Sequence, residues 1–314
     1  MRILVLGGYG AVGARIVAEL RAAGEQAVVA GRDPARADRV VDLSDVTTYR
    51  AALTGIDVVV NAAGTEDPAL AVVATECGAA FVDITATTGY VAALQGLAPA
   101  RPIILSVGLA PGLTNLLAAA VCADGPAPVD IAVVLGAGER HGAAATAWSY
   151  RLLGRTFTDA AGVRVRNYTR PRTFDLPNRG RRRLYRADFS DQHILTRDLG
   201  VPVRTYFGVD SRTAMAALAL LTWIPGAARA PRGLHLPGTD AWLALARTDA
   251  GALRWAVGRG QSHATAILAV TAARLGARLS PGVHHLHQVA TLADVPPGVG
   301  IELHGSGRGA CRVL

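Results

Sequence analysis

The chain has 314 residues, 51% hydrophobic and 18% charged, which is enough apolar surface for two cored domains and too much for a disordered chain. Its net charge is +8, and all 32 basic residues are arginine. The absence of lysine excludes a Walker-type phosphate lysine, a Schiff-base lysine and the Tyr-x-x-x-Lys pair of ordinary short-chain dehydrogenases.

Arg2 to Leu6 is an apolar run that reads as a buried first strand. Because it leads straight into glycines, the N-terminal sequence predicts no signal peptide. Gly8-Tyr9-Gly10-Ala11-Val12-Gly13 comes next, then a helix over Ala11 to Ala23 closed by Gly24, then a second strand over Gln26 to Ala30. A G-x-G-x-x-G between strand and helix is a dinucleotide-binding signature. Gly8 is expected to make the tight turn, Gly10 to let the backbone approach a pyrophosphate, and Gly13 to let helix and strand pack. Tyr9, Ala11 and Val12 complete a loop that turns the helix N-terminus toward the phosphate charge. No acid ends the second strand: Gly31-Arg32 stands there, and Asp33 falls one residue late, placed to cap a helix after Pro34. The Arg32 guanidinium, assisted by Arg36, suits a 2′-phosphate, so the expected cofactor is NADP(H).

The alternation continues. A third strand is predicted over Arg39 to Leu43, with Asp42 and Leu43 beside the adenine. A fourth over Ile56 to Val60 leads into Asn61 and then Ala62, Ala63 and Gly64, small enough to approach the cofactor ribose. A helix over Ala69 to Cys77 and strands over Ala80 to Thr85 and Pro102 to Val107 complete a doubly wound parallel sheet, an α/β Rossmann domain. Such sheets bind ligands beyond the carboxyl ends of their strands. That focuses attention on Asp83, Thr85, Thr88 and Tyr90. Asp83, Thr85 and Tyr90 are the candidate catalytic residues, with Tyr90 to donate a proton and Asp83 to hold an iminium charge.

The residues Gly7 to Gly13, Ala30-Gly31-Arg32, Val60 to Gly64, Cys77 to Thr85 and Gly108 to Asn115 resemble the saccharopine dehydrogenase-like family, of the saccharopine reductase type, over roughly the first 120 residues. Gly258 to Ser262 resembles a later family segment. The resemblance implies a Rossmann domain followed by an α+β domain that binds substrate and dimerises, and hydride transfer between NAD(P) and a carbon–nitrogen double bond. Ala110 stands where saccharopine reductases often have Asp. The resemblance therefore implies cofactor chemistry rather than an amino-acid substrate.

Ala123 to Pro128 predicts the domain boundary, giving residues 1–124 as the NADP-binding domain and 125–314 as the α+β substrate-binding and dimerisation domain, with the C-terminal tail able to pack back on the first. The second part predicts a strand over Val129 to Leu135, a helix over Gly142 to Leu153 and an arginine-rich hairpin between Arg164 and Asp188. It also predicts a strand over Val201 to Val209, an apolar helix over Arg212 to Ile224 that reads as a dimer or core element, strands over Ala241 to Ala246 and Leu253 to Val257, and a helix over His263 to Leu275. The hairpin arginines read as a solvated edge, an anionic-substrate site or, least in keeping with the rest, a nucleic-acid surface. His285 and His287 would share a strand face, but without a nearby Cys or carboxylate no metal site is expected. Cys77, Cys122 and Cys311 lack metal or redox spacing. Together these features describe a cytoplasmic homodimer with a small-molecule substrate and no nucleic-acid or membrane partner. Its activity would be NADPH-dependent reduction of an imine or other polarised double bond, the substrate anionic or carrier-bound. An atypical short-chain dehydrogenase-like reductase and a non-catalytic NADP(H) sensor are the alternatives.

Overall fold

The computed structural model describes residues 1–85, 87–136, 138, 150–227 and 238–306. The first elements are β1 (Arg2–Leu6), α1 (Gly13–Ala22), β2 (Gln26–Gly31), β3 (Arg39–Val40), α2 (Val46–Ala52), β4 (Val58–Asn61), α3 (Pro68–Glu76), β5 (Ala80–Asp83), α4 (Thr88–Gln95) and β6 (Pro102–Leu105). Every residue of β4, β5 and β6 is buried, as is β1 after its first residue. Unbroken apolar runs, rather than alternation, are what a parallel sheet covered on both faces requires. The helices start where side chains can satisfy their first amides. Asp45 accepts from Thr47 N–H ahead of α2, and Asp67 accepts from Ala69 N–H ahead of α3, whose first turn holds Pro68.

The chain continues through α5 (Thr114–Ala123), β7 (Val129–Leu135), β8 (Thr156–Thr158), β9 (Arg164–Arg166), β10 (Thr169–Leu176), β11 (Gly180–Arg186), α6 (Ser190–Leu199), β12 (Val203–Val209), α7 (Arg212–Leu221), β13 (Ala241–Thr248) and β14 (Leu253–Arg259). It ends with α8 (Gln261–Gly276), β15 (Gly282–His285), α9 (Leu286–Val289) and β16 (Ile301–Ser306). Two seven-stranded sheets result. The first, in the order β15-β6-β5-β4-β1-β2-β3, is parallel throughout. The second, β10-β11-β12-β7-β13-β14-β16, is mixed: β12 and β7 run parallel and the other neighbours antiparallel. β8 and β9 form a separate two-stranded ribbon. The protein is therefore α/β, a Rossmann sheet with its helices plus a second unit built on a mixed sheet.

The units divide as Met1–Leu113 with Ser262–Pro296, and Thr114–Gln261 with Pro297–Leu314. These limits differ from the expected division at residue 124. α5 packs on β7, β13 and β14 of the mixed sheet, which moves the boundary ahead of that helix. The segment that returns to the first unit is α8 with β15, while the next strand, β16, pairs with β14 in the second. α8 is buried along most of its length, and Gly276 near its end faces Ile104 and Ala80. A helix apolar on all sides is one enclosed by its domain. Other limits shift by a residue or two, except that the third strand stops at Val40 and the helix expected over Arg212 to Ile224 ends at Leu221. Residues 142–149 of the expected helix, and Cys311, lie outside the described residues.

Candidate functional site

The glycine loop is built by steric necessity. Gly7, at φ +68°, makes the tight turn, and a Cβ there would sit 2.8 Å from the Ala63 Cα. The turn was expected at Gly8. Instead Gly8 is buried, with a Cβ position 2.9 Å from Val5 O and 3.1 Å from Val29 Cγ1, so it lets the loop lie on β2. Gly10 donates to Gly7 O at 2.8 Å, and a Cβ on Gly13 would fall 2.1 Å from that same oxygen. Gly7 is thus a glycine that the shape of the loop requires and that the G-x-G-x-x-G template overlooked; the spacing Gly7, Gly10, Gly13 is the signal that identifies it. α1 begins at Gly13 with no side-chain cap and no acid in its first turn. Among the described residues nothing accepts from the N–H groups of Ala11, Val12 or Gly13. Those open donors and the positive end of the helix form a cradle for an anion that approaches closely. Ala62, Ala63 and Gly64 come after β4 directly beside this loop, with Ala63 and Gly64 exposed.

At the end of β2, the Tyr9 ring covers Gly31, whose Cβ would meet it at 2.4 Å. Asp33 N–H donates to the Tyr9 hydroxyl at 3.1 Å, and Arg36 stacks on the ring at 4.3 Å while donating to Tyr9 O. The Asp33 carboxylate accepts from Ala35 N–H in its own turn. Arg32 is exposed, with no hydrogen bond or ion pair among the described residues. Its charge lies close enough to act on Asp42, whose carboxyl is held below its usual range by the Ser44 N–H and hydroxyl and then by Arg32. Leu43 is half-buried beside Asp42. Arg32, Arg36 and Asp42 are therefore gathered around the end of β2, although Arg36 is engaged with Tyr9.

The carboxyl ends of β4 and β5 carry a buried polar cluster. Asp83 is 1% exposed. Its Oδ2 accepts from Asn61 Nδ2 at 2.8 Å and from the Tyr90 hydroxyl at 2.9 Å, and its Oδ1 accepts from Thr85 N–H at 2.6 Å. Burial pushes the Asp83 carboxyl up, against the pull of these donors. Burial and the neighbouring Asp83 charge push the Tyr90 hydroxyl far up as well. Asp83, Thr85 and Tyr90 thus come together, as a hydrogen-bonded hub closed by Asn61. Thr85 is half-buried at its edge, and Thr88 starts α4.

A second cluster lies one strand further along the same edge, unforeseen from the sequence. Ser106 comes after β6 in the left-handed region, at φ +57°, and its Oγ lies 2.9 Å from His285 Nδ1 at the end of β15. Gln95 Nε2 lies 2.7 Å from His285 Nε2. A non-glycine residue held in that region is strained backbone that the surroundings must enforce. His285 and His287 do not share a strand face, because the strand ends at His285 and α9 begins at Leu286; their rings stack at 5.9 Å. No group of three or more metal-ligating side chains occurs among the described residues.

Most arginines of the 164–186 stretch have structural partners. Arg166 donates to Thr222 O, Arg182 to Val209 O, and buried Arg186 to Gln192 Oε1. Arg172 joins Arg204 and Arg247 around the buried Asp130 carboxylate. The hairpin β10–β11 sits at the edge of the mixed sheet, with Phe174, Leu176 and Leu184 turned into its core.

Residues 3–80 match the model of the NAD dependent epimerase/dehydratase family, about a quarter of the chain. Among solved structures, UDP-N-acetylglucosamine 4-epimerase from Bacillus cereus is 20% identical over 26% of this chain and 38% of that one, with a TM-score of 0.23. An NAD-bound short-chain dehydrogenase/reductase superfamily protein from Agrobacterium tumefaciens is 26% identical over 26% and 32%, also at 0.23. The chain thus spans well under half the length of these two. Amine dehydrogenase from Mycobacterium smegmatis aligns over 93% of this chain and 96% of its own, at 13% identity and a TM-score of 0.45. No curated protein matches.

Proposed function

We propose that the protein is an NADPH-dependent reductase that delivers hydride to an imine or another polarised double bond of a small molecule. One observation carries this reading: open amide donors at the start of α1 face the same loop whose neighbour, Arg32, is an exposed guanidinium at the end of β2, while the Asp33 carboxylate is engaged by Ala35 N–H. The fit is steric as well, since a Cβ at Gly7, Gly8 or Gly13 would collide with backbone. Gly8, Tyr9, Gly10, Ala11 and Val12 would hold the pyrophosphate, and Gly31 and Arg32 the 2′-phosphate. Asp42 and Leu43 would lie on the adenine side and Ala62, Ala63 and Gly64 near the ribose. Bound NADPH supplies the hydride. Asp83 and Tyr90 act as positioning residues that lock the ends of β4 and β5, and Thr85 is the member of that cluster able to reach a ligand.

The family match favours a second reading, a short-chain dehydrogenase or epimerase. That chemistry uses a Tyr-x-x-x-Lys pair, and this chain has no lysine. The test is titration of NADPH and NADH fluorescence on wild type and Arg32→Ala, followed by imines and activated alkenes with NADPH absorbance as the readout. Tighter NADPH binding that depends on Arg32, with turnover of an imine, supports the reading. Binding without turnover of any acceptor would make the protein a sensor, and no binding would remove the reductase reading altogether.

A further inference from the structure

α7 is apolar on two opposite sides. Ala214 and Met215 are buried beneath it. Ala216, Ala217 and Leu220 are exposed on the other side, and the turns after the helix extend that stripe to Trp223 and Ile224. The steps of three and four residues place these side chains on one face. Leu220 is 70% exposed, Trp223 62% and Ile224 54%. From Arg212 to Ala227 the chain has no acidic residue. Contiguous exposed apolar surface with a polar border marks a contact site.

The border is cationic. Arg166 on β9 stacks over the Trp223 ring at 4.7 Å and donates to Thr222 O at 3.1 Å. Gly154 N–H donates to Thr222 Oγ1, which brings the β8–β9 ribbon alongside, and Arg155 and Arg164 are exposed on it. Arg212 opens the helix. The ribbon's one carboxylate, Asp159, is turned inward to the N–H groups of Ala161 and Val163 and to Arg186.

We propose that this stripe docks the protein on an anionic membrane surface, with Leu220, Trp223 and Ile224 lying shallowly among the headgroups and the arginines on lipid phosphates. An apolar face bordered by arginine, with tryptophan at its edge, is the composition of an interfacial helix. Ten helical residues cannot cross a bilayer, and no helix among the described residues is long and apolar enough to do so. A second copy fits less well. A two-fold axis sets each patch against itself, so the arginine border would face the same arginines of the other copy. This revises the expectation that the protein has no membrane partner, and it is independent of the reductase reading.

Co-sedimentation with phosphatidylcholine vesicles, with and without phosphatidylglycerol, tests the proposal. The full chain is expected to pellet with the anionic vesicles, to be released by salt and to ignore the neutral ones. The double variant Leu220→Ser/Trp223→Ser should partition at least tenfold less, with circular dichroism and NADPH titration unchanged. The pair Arg164→Gln/Arg212→Gln, both on exposed side chains, should weaken only the anionic binding. Equal behaviour on the two vesicles, or full binding by both variants, would overturn the proposal. So would light scattering that finds a dimer which Leu220→Ser/Trp223→Ser turns into a monomer, because the stripe would then join two copies of the chain.

Discussion

The Tyr90 hydroxyl donates to Asp83 Oδ2 across 2.9 Å, in a pocket where Asp83 is 1% exposed and Asn61 reaches the same oxygen. A phenol held this way, with its pKa pushed far up by burial and by the Asp83 charge, keeps its proton. Tyr90→Phe should therefore act on stability, by leaving a buried carboxylate short of one donor, at a cost of about 1–3 kcal/mol. The loss should be visible in urea unfolding, and turnover by the folded fraction should change little. A fall of about a hundredfold or more in kcat, with stability intact, would instead give Tyr90 the proton-donor role first expected of it.

Arg32 offers a cleaner separation, because among the described residues it makes no hydrogen bond or ion pair and acts on Asp42 only through its charge. Arg32→Ala should weaken NADPH binding by about ten- to hundredfold, the size of one charge-assisted hydrogen bond, and leave NADH binding within about twofold. Arg36→Ala is a useful contrast. Arg36 stacks on Tyr9 and donates to its carbonyl, so its loss should loosen the loop and weaken both cofactors together. Equal effects of the two substitutions on NADPH preference would contradict the division of roles between them.

Five strands of the Rossmann sheet, β1, β2, β4, β5 and β6, and the glycine loop could be read from the sequence because their signals are local. A strand buried on both faces announces itself as an apolar run, and a turn that excludes Cβ announces itself as glycine. The features that could not be read depend on pairing between distant segments. β15 joins β6 across about 180 residues, as Gly282 pairs with Pro102, and nothing in Gly282–His285 alone says that its partner lies there. For the same reason His285 looked like a strand-face partner of His287 rather than the neighbour of Ser106. The arginine-rich stretch was ambiguous because its partners, Asp130, Gln192 and Thr222, come from other elements. Gly7 was passed over for a different reason: two glycine templates overlap at Gly7 and Gly8, and only the positive φ tells them apart.

Substitution within the overlapping templates distinguishes contact from mere composition. Gly13→Ala places a methyl 2.1 Å from Gly7 O, and Gly7→Ala adds both a strained φ and a 2.8 Å contact with the Ala63 backbone. Neither obstacle is a flexible side chain, so the loop must move. Both variants should lose measurable binding of either nicotinamide dinucleotide and melt earlier, consistent with about 1–3 kcal/mol of strain. Gly24→Ala, which has a positive φ but nothing within 4 Å, should lower stability by only about 1 kcal/mol and leave binding intact. Normal nucleotide affinity in Gly13→Ala would mean that the loop does not form the cradle.

The second unit contains a titratable group whose effect on stability can be signed. Asp191 is fully buried, and burial raises its pKa from 3.8 to about 6, against hydrogen bonds from Thr205 and Thr114. The folded chain therefore holds the Asp191 proton more tightly than the unfolded chain does. That contribution is fully present below the unfolded value, near pH 4, and is lost as pH rises through about 6. A shift of roughly two pKa units corresponds to about 3 kcal/mol, so unfolding free energy should decline by up to that amount across this window. Asn at position 191 cannot titrate, yet keeps an oxygen for the Thr205 hydroxyl. Urea unfolding of wild type and Asp191→Asn at stepped pH should therefore diverge between about pH 4 and about pH 6.5, with the variant losing less stability as pH rises. Parallel curves would assign the pH dependence to groups other than this carboxyl.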